Sequence, residues 1–154
     1  MKQFTVNQPT ELVAVAAAVL ELAATTARPA VVALNGDLGA GKTSFVQALA
    51  KIIKTDQVPN SPTFVVMKSY RADYQEWKRL VHLDAYRLET IDELRPLKFD
   101  ELLHQKDSII CIEWAERIAP KLPPQTIRLD FSITDTSRVI TINYDQNQNQ
   151  SEDQ

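Results

Sequence analysis

The stretch Ala30-Val31-Val32-Ala33-Leu34-Asn35-Gly36-Asp37-Leu38-Gly39-Ala40-Gly41-Lys42-Thr43 decides how the rest of the chain is read. Its first six residues are an apolar run with paired valines, short enough for a buried strand. The run then enters a turn that holds all three glycines of the chain, Gly36, Gly39 and Gly41, spaced as G-x-x-x-x-G-K-[ST]. Glycines let successive backbone N–H groups turn inward as an anion-binding nest, and the N-terminus of a following helix adds positive potential. Lys42 is placed to reach outer phosphates and the Thr43 hydroxyl to meet Mg²⁺. A strand before the loop and a helix after it are the setting this motif requires.

Outward from the loop, residues 42–54 read as that helix. Residues 9–26 are Ala-rich and apolar at helical spacing, with Pro9 tolerated in the first turn, and predict another. Residues 56–62 hold two prolines with Asn60 and Ser61 and must be loop. Residues 64–70 and 78–84 read as antiparallel strands joined across the polar stretch 72–76. Thr90 with Glu93 three residues on is a capping-box pattern for a short helix that Pro96 limits. Residues 108–113 read as a second buried strand. Beyond the prolines at 120, 123 and 124, residues 126–133 and 138–143 alternate around turn residues 134–136 as a hairpin. Residues 2–6 alternate weakly as a short strand. These elements predict an α/β fold in which a mixed sheet, parallel at its centre and with antiparallel hairpins at its edges, is flanked by helices.

The chain has 154 residues, 44% of them hydrophobic and 24% charged, which is enough for one domain with a real core. Residues 1–144 are expected to form that domain. Residues 145–154 carry no aliphatic or aromatic side chain. They cannot offset ordering entropy by burial, so a disordered polar tail is expected. The whole chain holds 17 Lys and Arg against 20 Asp and Glu; setting aside Asp145, Glu152 and Asp153 leaves 17 of each sign. A domain that gripped a nucleic-acid backbone by itself would show a basic excess. Cys111 is the only cysteine, so no intrachain disulfide or Cys-based metal cluster can form, which suits a reducing cytoplasm. The apolar run 12–20 between Glu11 and Glu21 is too short for a membrane span and has the wrong flanks for a signal peptide.

A phosphate-binding loop needs an acid near the metal before it can hydrolyse anything. Two apolar strands close on one: Leu80-Val81-His82-Leu83-Asp84 and Ile109-Ile110-Cys111-Ile112-Glu113. Ligands of open α/β sheets sit outside the carboxyl ends of the strands, so Asp84 and Glu113 are both expected at the Thr43 end of the loop. His82 shares a strand face with Asp84 and reads first as a hydrogen-bonded structural residue. Cys111 reads as core, and His104 has no neighbours of interest. Trp114, directly after Glu113, either packs in the core, covers a nucleotide or docks a partner. The Asn/Thr-Lys-x-Asp string that selects guanine in Ras-like GTPases is absent, which tilts the nucleotide towards ATP.

Four strings then coincide in order: Asn35 to Thr43 as quoted, Ser61-Pro62-Thr63-Phe64 with Tyr70, His82-Leu83-Asp84-Ala85-Tyr86-Arg87-Leu88, and Ile112-Glu113-Trp114-Ala115-Glu116. Together they resemble the TsaE family (formerly YjeE) over residues 9–143. Its members are small bacterial P-loop ATPases needed to make threonylcarbamoyladenosine on tRNA. The resemblance implies ATP and Mg²⁺ as ligands, with Asp37, Leu38, Gly39, Ala40, Gly41, Lys42, Thr43 and Ser44 around the phosphates and Thr43 and Glu113 at the metal. It implies catalytic roles for Lys42, Glu113, Asp84 as the acid that helps polarise water or holds the metal's outer sphere, and Thr63 as a sensor of the γ-phosphate in a switch-like loop. Thr10 and Arg138 match positions near the base. The implied partners are the transferase subunit TsaD and its paralogue TsaB, with tRNA reached only through them. The chain departs from the family at Leu97-Lys98-Phe99, where members often carry a glycine, and in its polar tail.

Two rival readings share the loop. A small-molecule kinase would need an acceptor pocket and an arginine-bearing lid, for which residues 89–105 supply Arg95 and only short helices. A nucleotide-binding module without turnover is opposed by the retention of Lys42, Thr43, Asp84 and Glu113.

Overall fold

The computed structural model describes residues 1–26, 28–60 and 66–144. Strands β1 (Lys2–Val6), β2 (Ala30–Asn35), β3 (Met67–Tyr74), β4 (Trp77–Asp84), β5 (Ser108–Glu113), β6 (Ile127–Ile133) and β7 (Arg138–Asn143) make one sheet in the order β1-β7-β6-β2-β5-β4-β3. β6, β2, β5 and β4 run parallel, while β1, β7 and β3 pair antiparallel with their neighbours. The mixed α/β sheet expected from the sequence is therefore the one observed.

The apolar runs of β2 and β5 are continuous because both of their faces are covered. On one face Ala30, Val32, Leu34, Ile109 and Cys111 pack with Val15, Ala16 and Val19 of α1 (Leu12–Ala23) and Phe45, Val46 and Leu49 of α2 (Lys42–Ile53). On the other, Val31, Ala33, Ile110 and Ile112 pack with Leu94, Phe99, Leu102 and Ile118. That second layer is made of a 3-10 segment Ile91–Leu97, the one-turn helix α3 (Phe99–Leu102) and a 3-10 segment Ala115–Lys121. Successive strand residues point to opposite faces, so even positions of β2 and odd positions of β5 look towards α2. Glu113, the last residue of β5, is odd. Among the described residues no helix is long and apolar enough to cross a membrane.

Several boundaries differ from expectation for local reasons. The helix foreseen over 9–26 opens as a 3-10 turn, Pro9–Glu11, and α1 stops at Ala23. Beyond it the Thr25 and Thr26 hydroxyls donate back to the Leu22 and Ala23 carbonyls at 2.8 and 3.1 Å, the competition that makes threonine a poor helix continuer. α2 stops one residue short of Lys54, which is left-handed at φ 58°. β3 runs on to Tyr74 because Tyr74 pairs with Trp77 across a tight turn with Gln75 at φ 54°, after a register slip following Arg71. The Thr90 capping box does not form as such: Thr90 makes no side-chain cap, and the Glu93 carboxylate instead accepts from the Glu89 N–H at 2.9 Å. Pro96 sits inside the resulting 3-10 segment rather than ending it.

At Leu97-Lys98-Phe99 the chain turns with Lys98 at φ 55°, ψ 43°. This left-handed conformation is one that glycine adopts freely and a lysine holds at about 1–2 kcal/mol. Ser61, Pro62, Thr63, Phe64 and the tail 145–154 lie outside the described residues.

Candidate functional site

β2 delivers the chain into the glycine loop, and two of the glycines are there for stated reasons. Gly36 has φ 151°, and a Cβ on it would lie 2.7 Å from the Phe131 carbonyl oxygen and 2.8 Å from the Phe131 Cβ. Only a residue without a side chain lets β2 and β6 approach so closely. Gly41 takes φ 107° at the N-cap of α2, turning the chain so that the helix begins at Lys42 with its free N–H groups facing the loop. The Lys42 ammonium donates to the Gly36 carbonyl and, at 3.3 Å, to that of Asp37, and it lies 4.1 Å from the centre of the Trp114 ring. Burial pushes the Lys42 pKa down from its ordinary value, against the opposing pull of Glu113, Glu116, Asp84 and Asp37.

The two strand-end acids meet because β4 and β5 are adjacent and in step. Asp84 lies opposite Glu113, and Glu113 opposite Leu34 on the other side. The Thr43 hydroxyl at the start of α2 lies 3.1 and 3.2 Å from the two Glu113 oxygens. On its far side Glu113 Oε2 lies 2.5 Å from His82 Nε2. Asp84 Oδ1 accepts from the Tyr86 N–H at 2.9 Å. Both acids are buried. Trp114 leaves the strand in the left-handed region, φ 56°, ψ 42°, its N–H donating to the Leu34 carbonyl at 3.1 Å. This carries the indole over Lys42, where it also packs against Tyr86 with ring centres 5.0 Å apart and the planes tilted by 50°, and Arg117 lies 5.3 Å from the centre of the Tyr86 ring. A cavity of about 450 Å³ is lined by Leu38, Gly39, Ala40, Gly41, Lys42, Thr43, Ser44, Asp84, Tyr86, Glu113 and Trp114.

Among the described residues no group of three His, Cys, Asp or Glu side chains stands ready to hold a metal. Mg²⁺ does not need one, since it is usually held by one or two protein oxygens together with substrate phosphates and water. Thr43 Oγ1 and the Glu113 carboxylate, hard oxygen donors 3.1 Å apart at the mouth of an anion nest, fit that demand. Burial lifts the Cys111 thiol far above its ordinary value, so it is core rather than a nucleophile.

The structure thus brings Leu38, Gly39, Ala40, Gly41, Lys42, Thr43, Ser44, Asp84 and Glu113 to one cavity. Asp37 reaches it through its carbonyl, its side chain being exposed. Arg138 lines a second hollow of about 200 Å³ on the other flank of the loop, with Asn7, Pro9, Gly39 and Ser44. Thr10 lines a third, of about 650 Å³, with Ser44, Gln47 and Lys51. Ser44 and Pro9 are where these two hollows meet. Thr63 lies outside the described residues. Tyr86 stands in the string 82–88 with no role of its own in the sequence, and Arg117 carries no sequence signal; the packing of Tyr86 against Trp114 depends on the turn at Trp114, for which the sequence carries no signal.

Burial is also what raises the Asp84 carboxyl above its ordinary value, more than the Tyr86 N–H lowers it. The native state then holds this proton more tightly than the unfolded chain does. The fold therefore carries the cost of the charge above the native pKa and is relieved of it as pH falls. Asp84→Asn keeps the acceptor for Tyr86 and removes the charge. The ligand-free variant should therefore melt above the parent at pH 7. That advantage should shrink as pH falls through the raised native pKa and vanish once the carboxyl is protonated in the folded and unfolded chain alike. A lower melting temperature than the parent at pH 7 would contradict this.

Residues 6–140 match the model of the family described as threonylcarbamoyl adenosine biosynthesis protein TsaE. The chain is 38% identical to the tRNA threonylcarbamoyladenosine biosynthesis protein TsaE of Bacillus subtilis (strain 168) over 130 residues, 84% of this chain and 75% of that one. It is 34% identical to the same-named protein of Treponema pallidum (strain Nichols), over 73% of this chain and 80% of that one. With the Rickettsia conorii protein of that name it shares 36% identity over 70% of this chain and 59% of the relative's length. The crystal structure of YdiB from Bacillus subtilis superposes with a TM-score of 0.71 at 30% identity, over 96% of this chain and 87% of that one. By the family model, the relatives and the shared architecture together, this chain belongs to the TsaE family.

Proposed function

We propose that the chain binds ATP with Mg²⁺ and hydrolyses it as the ATPase of tRNA threonylcarbamoyladenosine synthesis, acting on the TsaB–TsaD assembly. The observation that carries this reading is the convergence of Lys42, Thr43, Glu113 and Asp84 at the mouth of the glycine loop. The backbone N–H groups of residues 37–43 hold the phosphates, and Lys42 exchanges the Gly36 and Asp37 carbonyls for the outer phosphate oxygens. Thr43 and Glu113 hold Mg²⁺, which when bound screens the charge of the phosphates. Asp84 orients the attacking water from its place beside Glu113. Arg138, Ser44 and Thr10 take the sugar and base on the flank of the loop, and the indole of Trp114 with Tyr86 covers the other side. The absence of a guanine-selecting string supports adenine.

The name shared by the relatives supports the pathway. Balanced charge over residues 1–144 supports tRNA being reached through protein partners. Residues 56–63 follow the helix that starts at the phosphates and serve as a switch, with Thr63 answering the γ-phosphate; such loops order around a triphosphate and relax on hydrolysis. The isolated chain should therefore bind tRNA weakly, and should be captured by the TsaB–TsaD pair at least about tenfold better with a non-hydrolysable ATP analogue than without nucleotide, a difference of about 1.4 kcal/mol. Pull-down under the two conditions is the test. Equal capture, or tight binding of tRNA by the chain alone, would overturn the partner-directed mechanism and leave the ATP site standing.

A further inference from the structure

His82 lies within the sheet on β4, in register with Lys68 of β3 and Cys111 of β5, and is wholly buried. Burying an imidazole costs free energy unless its nitrogens are paired, yet among the described residues only one of them is. Nε2 lies 2.5 Å from Glu113 Oε2, while among the described residues Nδ1 has no partner. A leucine there would cause no such cost, so the contact with Glu113 is what the histidine supplies. A carboxylate oxygen only accepts, which assigns the ring proton to Nε2.

The Thr43 hydroxyl does not distinguish the two Glu113 oxygens, lying 3.1 and 3.2 Å from them. His82 does distinguish them. Thr43 Oγ1 can turn a lone pair to a cation and still donate its O–H to either Glu113 oxygen, so among the described residues the His82 contact is the side-chain hydrogen bond that singles one of them out. We propose that His82 is a positioning residue: by donating from Nε2 to Oε2 it fixes the rotation of the Glu113 carboxylate, so that Oε1 is the oxygen presented beside Thr43 to the metal. This rests on the reading that Thr43 and Glu113 hold Mg²⁺. Groups that orient a metal ligand through a hydrogen bond typically change metal affinity by about 10- to 100-fold when removed.

The test is calorimetric titration of the full chain with a non-hydrolysable ATP analogue, in Mg²⁺ and separately in excess chelator. The parent, His82→Leu and His82→Gln are compared, each shown by its thermal melt to be folded at the temperature of titration. The glutamine amide nitrogen can stand where Nε2 does and donate in its place. His82→Leu should keep the metal-free affinity within about twofold of the parent and lose at least about tenfold of the gain that Mg²⁺ brings, and His82→Gln should restore most of that gain. Three results overturn the proposal: a leucine variant with the full Mg²⁺ gain, leucine and glutamine variants that lose it equally, or loss of affinity that is the same with and without metal. If the parent itself shows no gain from Mg²⁺, it is the metal site that fails, and the role of His82 falls with it.

Discussion

Lys42→Ala should weaken binding of ATP with Mg²⁺ by about 100-fold or more, which is roughly 2.7 kcal/mol. The lysine is the mobile cation at the loop, and a hydrogen bond to a charged group contributes about 1.5–3 kcal/mol where a neutral one contributes about 1. The backbone nest remains in the variant but cannot replace a full charge. The native structure holds this ammonium with its pKa lowered by burial, so the ligand-free fold carries a cost for the charge at neutral pH that the alanine removes. Loss of affinity should therefore appear in a chain that is still folded. Calorimetric titration with a melting curve beside it checks both halves. A folded variant that binds ATP as tightly as the parent would remove the main support for the loop as the nucleotide site.

The second large effect separates hydrolysis from binding. Glu113→Ala and Asp84→Ala should each lower turnover by about 100- to 1,000-fold, the range found when a group that stabilises developing charge is removed. ADP affinity should fall much less, since the loop N–H groups and Lys42 are untouched and only interactions made in the transition state accelerate the chemical step. The two variants should differ in stability. Removing Glu113 leaves the His82 ring without its one partner among the described residues. Removing Asp84 relieves a buried charge, while freeing the Tyr86 N–H near the surface.

What could be read in the sequence was local. The glycine string, the strand before it and the helix after it follow one another within residues 30–53, and the buried strand 108–113 announces itself as an unbroken apolar run because both its faces are covered. Asp84 and Glu113 could each be placed at a strand end, since the runs before them are short and close on an acid. That the two acids are neighbours, and that His82 meets Glu113, follows from β4 pairing with β5 in a register which puts 84 beside 113. No single segment carries that information. Short 3-10 segments escaped for a different reason. Residues 91–97 and 115–121 are held by packing of Leu94 and Ile118 on the sheet rather than by an amphipathic repeat long enough to be seen. The threonines after Ala23 show the reverse case, where side-chain hydrogen bonds to the backbone ended a helix that composition alone would have prolonged.

Phosphate release from ATP, measured for the chain alone, with the TsaB–TsaD pair, and for Glu113→Ala with the pair, tests the whole account most directly. Release should be slow for the chain alone, rise at least about tenfold with the pair, and fall by about 100-fold or more from that level in the variant. Release that is unchanged by the pair, or a Glu113→Ala chain as active as the parent, would contradict it.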